Sequence, residues 1–111
     1  MLTIETMDEA LRALADRTRR QILALVWRKE LSAGQIAGKF EVTRPAISQH
    51  LGVLRASKLI TVRRVGTRRL YRANRDAVAQ LRAELGAFWD VRIVRLKAAA
   101  EKSEKLKRKG R

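Results

Sequence analysis

A mainly α-helical domain carrying one small antiparallel β-hairpin, in the order α-α-α-α-β-β-α, is the fold this 111-residue sequence predicts. Three observations predict it. Apolar residues recur with helical spacing from about residue 6 to residue 56. The pattern turns strand-like at Leu59-Ile60-Thr61-Val62 and again near Leu70-Tyr71-Arg72, on either side of Gly66. Helical spacing then returns from about Arg75 onward. The length is one domain's worth and supports a single modest core.

The first helix, over roughly residues 6–15, is marked by Leu11, Leu14 and Ala15. Asp16 is a good cap for a second helix that runs to about Arg28, with Ile22, Leu23, Leu25, Val26 and Trp27 on a broad apolar face. Trp27 is taken as core. Ser32 caps a short third helix whose buried side holds Ile36, Ala37 and Phe40. Thr43 caps the fourth, and Pro45 falls in its first turn, where a missing N–H costs nothing. Ile47, Leu51 and Leu54 stand at i, i+4 and i+7, so one face is buried and Arg44, Ser48, Gln49, His50 and Arg55 lie elsewhere. The hairpin follows, with an arginine-rich tip around Gly66. Asn74 or Arg75 leads into a long last helix. Its apolar stripe of Val78, Leu81, Leu85, Phe88, Trp89, Ile93 and Leu96 is too long for so small a domain to cover, and a partner chain is its natural cover.

Charge narrows the function. The net charge is +15, from 26 Lys and Arg against 11 Asp and Glu. A polyanionic partner is favoured, either nucleic acid or an anionic membrane surface. Placement separates this from a mere compositional bias. Residues 1–60 carry 10 basic and 6 acidic side chains, whereas residues 61–75 carry six arginines and no acid. Six more basic residues, against two acids, crowd into Glu101–Arg111. Domain organisation is therefore read as one folded unit over residues 1–100 and a basic, disordered tail over 101–111. No apolar run approaches the roughly 18 residues of a membrane span, and the opening MLTIETMDEALRAL has no cationic, signal-like segment, which points to the cytoplasm. With no cysteine present, disulfides and thiolate metal sites are excluded. His50, the sole histidine, has no suggestively placed serine, aspartate or second histidine, so no enzyme is expected.

Two short helices joined by the tight Phe40-Glu41-Val42 turn make a helix-turn-helix. Small Ala37 suits the close crossing, and β-branched Ile47 locks the angle. The second helix then offers polar side chains to base edges in a major groove. Arg63, Arg64, Arg68 and Arg69 of the hairpin are placed to meet phosphates or the minor groove. A basic hairpin directly behind a helix-turn-helix makes a winged helix-turn-helix.

The runs ALADRTRRQILALV, LSAGQIAGKFEVTRPAISQHLGVLRASKLI and VRRVGTRRLYR resemble the ArsR family of winged-helix repressors, over about residues 8–73. The most specific parts are Asp16-Arg17-Thr18-Arg19-Arg20 with Ile22-Leu23, and Ser48-Gln49-His50-Leu51 with Leu54-Arg55. The resemblance implies a homodimer closed by the first and last helices, the helix at about 44–56 in the major groove of double-stranded DNA, and a wing at 60–72. Glu41 stands where the turn often has glycine, and Arg17 where proline is common. Many members release DNA when a metal binds cysteine, histidine or acidic ligands, and carboxylates alone would make an unusual transition-metal site. The sequence is thus similar to metal-free members, with no metal, no cofactor and an unknown inducer.

The expected function is a sequence-specific transcriptional regulator, a repressor acting as a homodimer on an inverted-repeat operator. The residues expected on DNA are Thr43, Arg44, Ser48, Gln49, His50 and Arg55 of the helix, with Arg63, Arg64, Arg68 and Arg69 of the wing. Those expected at the dimer interface are Leu11, Leu81, Leu85, Phe88, Trp89, Ile93 and Leu96. Two other readings remain open: a sequence-nonspecific, nucleoid-type binder driven by charge alone, and a protein-interaction module that no longer binds nucleic acid.

Overall fold

Each helix begins where a side chain can take up the unpaired N–H groups of its first turn. The structure, a computed structural model, describes residues 2–109, with the side chains of 90–94 and 103–109 outside the description. Helix α1 (Ile4–Leu14) starts at Thr3, whose Oγ1 accepts from the Thr6 N–H at 3.1 Å. Asp16 does the same for α2 (Arg17–Arg28), accepting from the Arg19 N–H at 3.0 Å. Ser32 and Gln35 form a reciprocal capping box at the start of α3 (Ala33–Ala37). Thr43 caps α4 (Arg44–Ala56), with Pro45 in the first turn. The Asn74 side-chain oxygen accepts from the Ala77 N–H at the head of α5 (Arg75–Lys109). Helical backbone thus continues to Lys109, where the sequence predicts a disordered tail from 101.

The hairpin forms as expected, with β2 (Ile60–Val65) and β3 (Arg68–Ala73) antiparallel and in register from Ile60↔Ala73 to Val65↔Arg68. Gly66 takes φ 62 at the first of the two turn residues, and Thr67 has no positive φ. That is the pattern of a II′ turn, which matches the twist of paired strands and places glycine first. The sequence reading missed a third strand. Residues Leu31–Ser32 form β1, which pairs with β3 to give the order β1-β3-β2. Two residues carry no readable period, and Ser32 already announces itself as a cap.

The chain divides into two compact units, one ending at Leu81 and the other beginning at Arg82. The core of the first gathers Ile22 and Val26 of α2, Ile36 of α3, Ile47 and Leu54 of α4, and Leu59 and Ile60 at the start of the hairpin, all fully buried. Each such side chain contributes about 1.5–3 kcal/mol by leaving water. Three sequence expectations need correction. Ala37 and Phe40 are half-buried, leaving Ile36 as the deep residue of α3. Trp27 is also half-buried, and the Arg75 guanidinium covers its ring, 5.4 Å from the ring centroid. Glu41 has no positive φ, so the turn closes without the left-handed residue that glycine would supply.

The left-handed residue falls instead at the end of α4, where Lys58 has φ 64. The Lys58 N–H donates to the Arg55 carbonyl and the Leu59 N–H to the Leu54 carbonyl, both at 3.0 Å. These two bonds, with buried Leu54 and Leu59, make a Schellman cap with lysine where glycine is usual.

Candidate nucleic-acid interface

Helix α4 is amphipathic in a way that sorts its side chains. Ile47, Leu51 and Leu54 are buried at 0–2 % exposure, which fixes the helix against α3 and the hairpin. Ser48, Gln49, Gly52, Val53 and Arg55 are exposed, as are Thr43 and Arg44 at its start. Arg44 and Arg55 lie eleven residues apart, about 16 Å along the axis. That is several times the ~3.4 Å rise of one base step, so the two arginines flank the shorter Ser48 and Gln49 and do not share one base step. Thr43 has a structural duty as well, since its hydroxyl accepts from the Ala46 N–H.

His50 departs from the expected set. Its side chain is only 21 % exposed and turns toward the start of α2, with Nδ1 3.4 Å from Arg19 Nη1 and 4.0 Å from Asp16 Oδ1. The fold therefore supplies the aspartate that the sequence spacing did not suggest. This cluster explains the Asp16-Arg17-Thr18-Arg19-Arg20 motif in structural terms. Arg19 donates to the carbonyls of Ala13 and Arg12, and Arg20 to that of Leu14, so both cap the C-terminus of α1. Asp16 caps the next helix, and the Arg19 N–H on its carboxylate is the main cause of a pKa below the ordinary value. His50 ties α4 to this joint and leaves the exposed face to Ser48 and Gln49. Gly52 and Val53 were missed as members of that face. Val53 is 40 % exposed, and nothing lies within 4 Å of a Cβ placed on Gly52.

The wing arginines separate by strand register. Arg64 and Arg69 are direct cross-strand partners on one face, an arrangement that is destabilising for like charges unless an anion joins them. Arg63 and Arg68 point to the other face. Arg63 is engaged within the chain: its Nε and Nη2 donate to the two Glu30 oxygens at 2.6 and 2.9 Å. This hydrogen-bonded pair holds the Glu30 carboxyl below its usual range and pushes the Arg63 pKa up. Arg75, the last of the six arginines in this segment, donates to the Trp27 carbonyl and stacks on its ring. Arg64, Arg68 and Arg69 have no ion-pair partner among the described residues.

Two of those three share a hollow with the first residue of α4. Arg68 and Arg69 line a hollow of about 390 Å³ with Arg44, Tyr71, Ser32 and Gly34. Arginines of two elements more than twenty residues apart thus border one polar depression, with room for an anionic oxygen group. Guanidinium–phosphate pairs are short, bidentate and about twice as strong as neutral hydrogen bonds. Among the described residues no cluster of His, Asp and Glu could hold a metal ion, and no helix is long and apolar enough to cross a membrane.

The expected dimer residues divide as well. Leu81 is 3 % exposed within the chain itself, so it belongs to the core of the first unit and leaves the interface set. Leu11 is 39 % exposed on α1, and Leu85 is half-buried. On α5, Phe88, Trp89 and Leu96 are 48, 55 and 65 % exposed, with the Phe88 and Trp89 rings edge-to-face at 6.1 Å. The side chain of Ile93 lies outside the described residues.

Comparison with known proteins gives a consistent picture. Residues 16–62 match the family of bacterial regulatory proteins described as the arsR family. The HTH-type transcriptional regulator Rv2034 of Mycobacterium tuberculosis is 43 % identical over 89 residues, covering 80 % of this chain and 83 % of that protein. An ArsR-like transcriptional regulator from Rhodococcus sp. RHA1 superposes with a TM-score of 0.71 at 32 % identity, over 86 % of this chain and 93 % of the other. Mb0332 from Mycobacterium bovis, a homodimeric winged helix-turn-helix DNA-binding domain solved by NMR, gives a TM-score of 0.65 at 27 % identity, over 79 % of this chain and 83 % of the other.

Proposed function

This chain belongs to the arsR family of bacterial regulatory proteins and is a DNA-binding transcriptional regulator, and we propose that it represses by occupying an inverted-repeat operator as a homodimer. Two α4 helices enter successive major grooves about 34 Å apart. Ser48 and Gln49 read base edges, while Arg44, Arg68 and Arg69 hold backbone phosphate at the hollow between α4 and the wing. Transcription stops because the operator is covered. The cover for Phe88, Trp89 and Leu96 is the second copy, as the homodimeric Mb0332 suggests.

The observation that carries this reading is the division of labour on one surface. An electrostatic clamp of arginines borders an exposed helix face whose central groups are short, polar and uncharged. Charge alone gives affinity without sequence preference; Ser48 and Gln49 are what a reader of sequence needs and a nucleoid-type binder does not. Selection of bound fragments from random DNA at about 150 mM salt, near physiological strength, tests it. A shared inverted repeat is the expected result, with half-site centres about one helical turn apart. Recovery of unrelated fragments would replace this reading with the charge-driven one.

A further inference from the structure

Beside the end of helix α4, away from its exposed Ser48 and Gln49 face, lies a half-open cavity of about 380 Å³. Its size falls in the lower part of the range for small-molecule sites, about 300–1,000 Å³. Leu59, Leu81 and Ala10, all at most 3 % exposed, supply apolar wall. Thr3 and Thr6, whose hydroxyls lie 2.7 Å apart, and the exposed Gln80 amide add polar groups. A half-open hollow with a mainly apolar wall and a few hydroxyl and amide groups suits an uncharged, largely apolar molecule with one or two hydrogen-bonding atoms. Lys58 and Asp76 also line it with opposite charges, so neither a cation nor an anion is favoured overall.

The position of this cavity gives it consequence. Its wall includes Ser57, Lys58 and Leu59, the three residues that join α4 to the wing. Lys58 holds a left-handed backbone that a non-glycine residue rarely adopts. Asn74 clamps this joint: its side-chain N–H₂ donates to the Lys58 carbonyl at 3.1 Å and its backbone N–H to the Leu59 carbonyl at 2.9 Å. Asn74 also lines the cavity and caps α5. One side chain therefore touches the cavity, the strained joint and the head of α5. Arg44 lies on α4 and Arg68 and Arg69 on the wing, the two elements that this joint connects.

We propose that the cavity between α1, the α4–β2 joint and the head of α5 is an effector site. It takes an uncharged, predominantly apolar small molecule, and its occupation displaces the Asn74 clamp and lowers affinity for DNA. The regulatory half rests on the DNA-binding function proposed above; the binding half stands without it. A ligand shifts the equilibrium only by its differential affinity for the two arrangements.

N-phenyl-1-naphthylamine, an uncharged apolar fluorophore, is the probe. With the full chain we expect saturable binding of one probe per chain, and amide NMR shifts centred on Thr6, Leu59, Asn74, Ala77 and Leu81. Ala77→Phe, which fills the cavity, should weaken probe binding at least about tenfold and leave DNA binding intact. Saturating probe should weaken wild-type binding to a selected fragment by about tenfold, within the ~5–150-fold range of such coupling, and leave Ala77→Phe unaffected. Shifts confined to residues 85–96 would place the probe on the exposed apolar face of α5 and overturn the site, whether or not Ala77→Phe folds. Probe bound in the cavity with DNA affinity unchanged or tightened would overturn the regulatory role. Failure to select any fragment without probe would instead count against the DNA-binding reading alone.

Discussion

The recognition helix and the wing are neighbours in sequence and are built on opposite principles. Helix α4 spends three of its thirteen residues on full burial, Ile47, Leu51 and Leu54, and so has one allowed orientation. The wing buries Ile60 and Ala73 at its base, and beyond Val62 and Tyr71 its strands carry exposed charge. Base reading demands a surface fixed to within hydrogen-bond tolerance, which packing supplies. Phosphate attraction is long-ranged and tolerant of position, and a thin ribbon of arginines is enough. The contrast predicts different failures when each region is cut.

The largest effect falls on the helix. Ile47→Ala removes a fully buried side chain and should cost about 2–5 kcal/mol of stability, read as a lowered urea midpoint with an unchanged slope. A loss below ~1 kcal/mol would mean that α4 is not held by this stripe, and the comparison would collapse. Next comes the wing. Arg64→Ala with Arg69→Ala removes the two opposed guanidinia, and should leave stability unchanged or slightly improved because a like-charge pair is relieved. DNA affinity should fall on every sequence, and the salt slope should shrink by about 0.9 for each phosphate that is no longer neutralised. A full slope would remove this face of the wing from the interface.

Gln49→Ala sharpens the contrast from the other side. Gln49 is exposed on the face turned from the core, so folding should not notice the change. Binding to a selected operator should weaken by about 1–3 kcal/mol if Gln49 pairs with a base edge, with no change on random DNA and none in salt slope. Equal losses on both DNAs would move Gln49 from the base readers to the groups that hold phosphate.

The same contrast explains what was legible in the sequence. Three of the five helix starts could be read from Asp16, Ser32 and Thr43, and a fourth to within one residue at Asn74 or Arg75, because capping is local chemistry between near neighbours. The buried stripe of α4 and the hairpin around Gly66 were equally plain, since spacing alone reports them. Pairings made across the chain were not. Asp16 and Arg19 beside His50, and Glu30 on Arg63, join residues more than thirty positions apart. Leu81 gives the same apolar signal as Trp89, and only the fold shows that one is core and the other exposed. Lys58 hid for a different reason: the usual sign of a left-handed helix end is glycine, and a lysine held there by hydrogen bonds has no local signature.

The smallest effect tests whether the wing is restrained from within. Glu30 occupies Arg63 through two hydrogen bonds, so the wing presents fewer arginines than it contains. Glu30→Gln keeps the shape and removes the charge. Released Arg63 should then reach phosphate, tightening binding to random DNA and steepening the salt slope by up to about 0.9 per subunit. Acid should produce the same change in the wild type. The Glu30 pKa is lowered in the folded chain, so the pair contributes stability above the carboxyl's unfolded pKa and loses it as pH falls through the lower, folded one. Across that acidic window the wild-type slope should approach that of Glu30→Gln, whose own slope stays flat with pH. An exposed pair of this kind adds little to folding, so the readout is the salt dependence of DNA binding and not the melting temperature. If the two proteins keep the same slope at neutral pH, Arg63 stays off the DNA even when freed, and the clamp consists of Arg44, Arg64, Arg68 and Arg69.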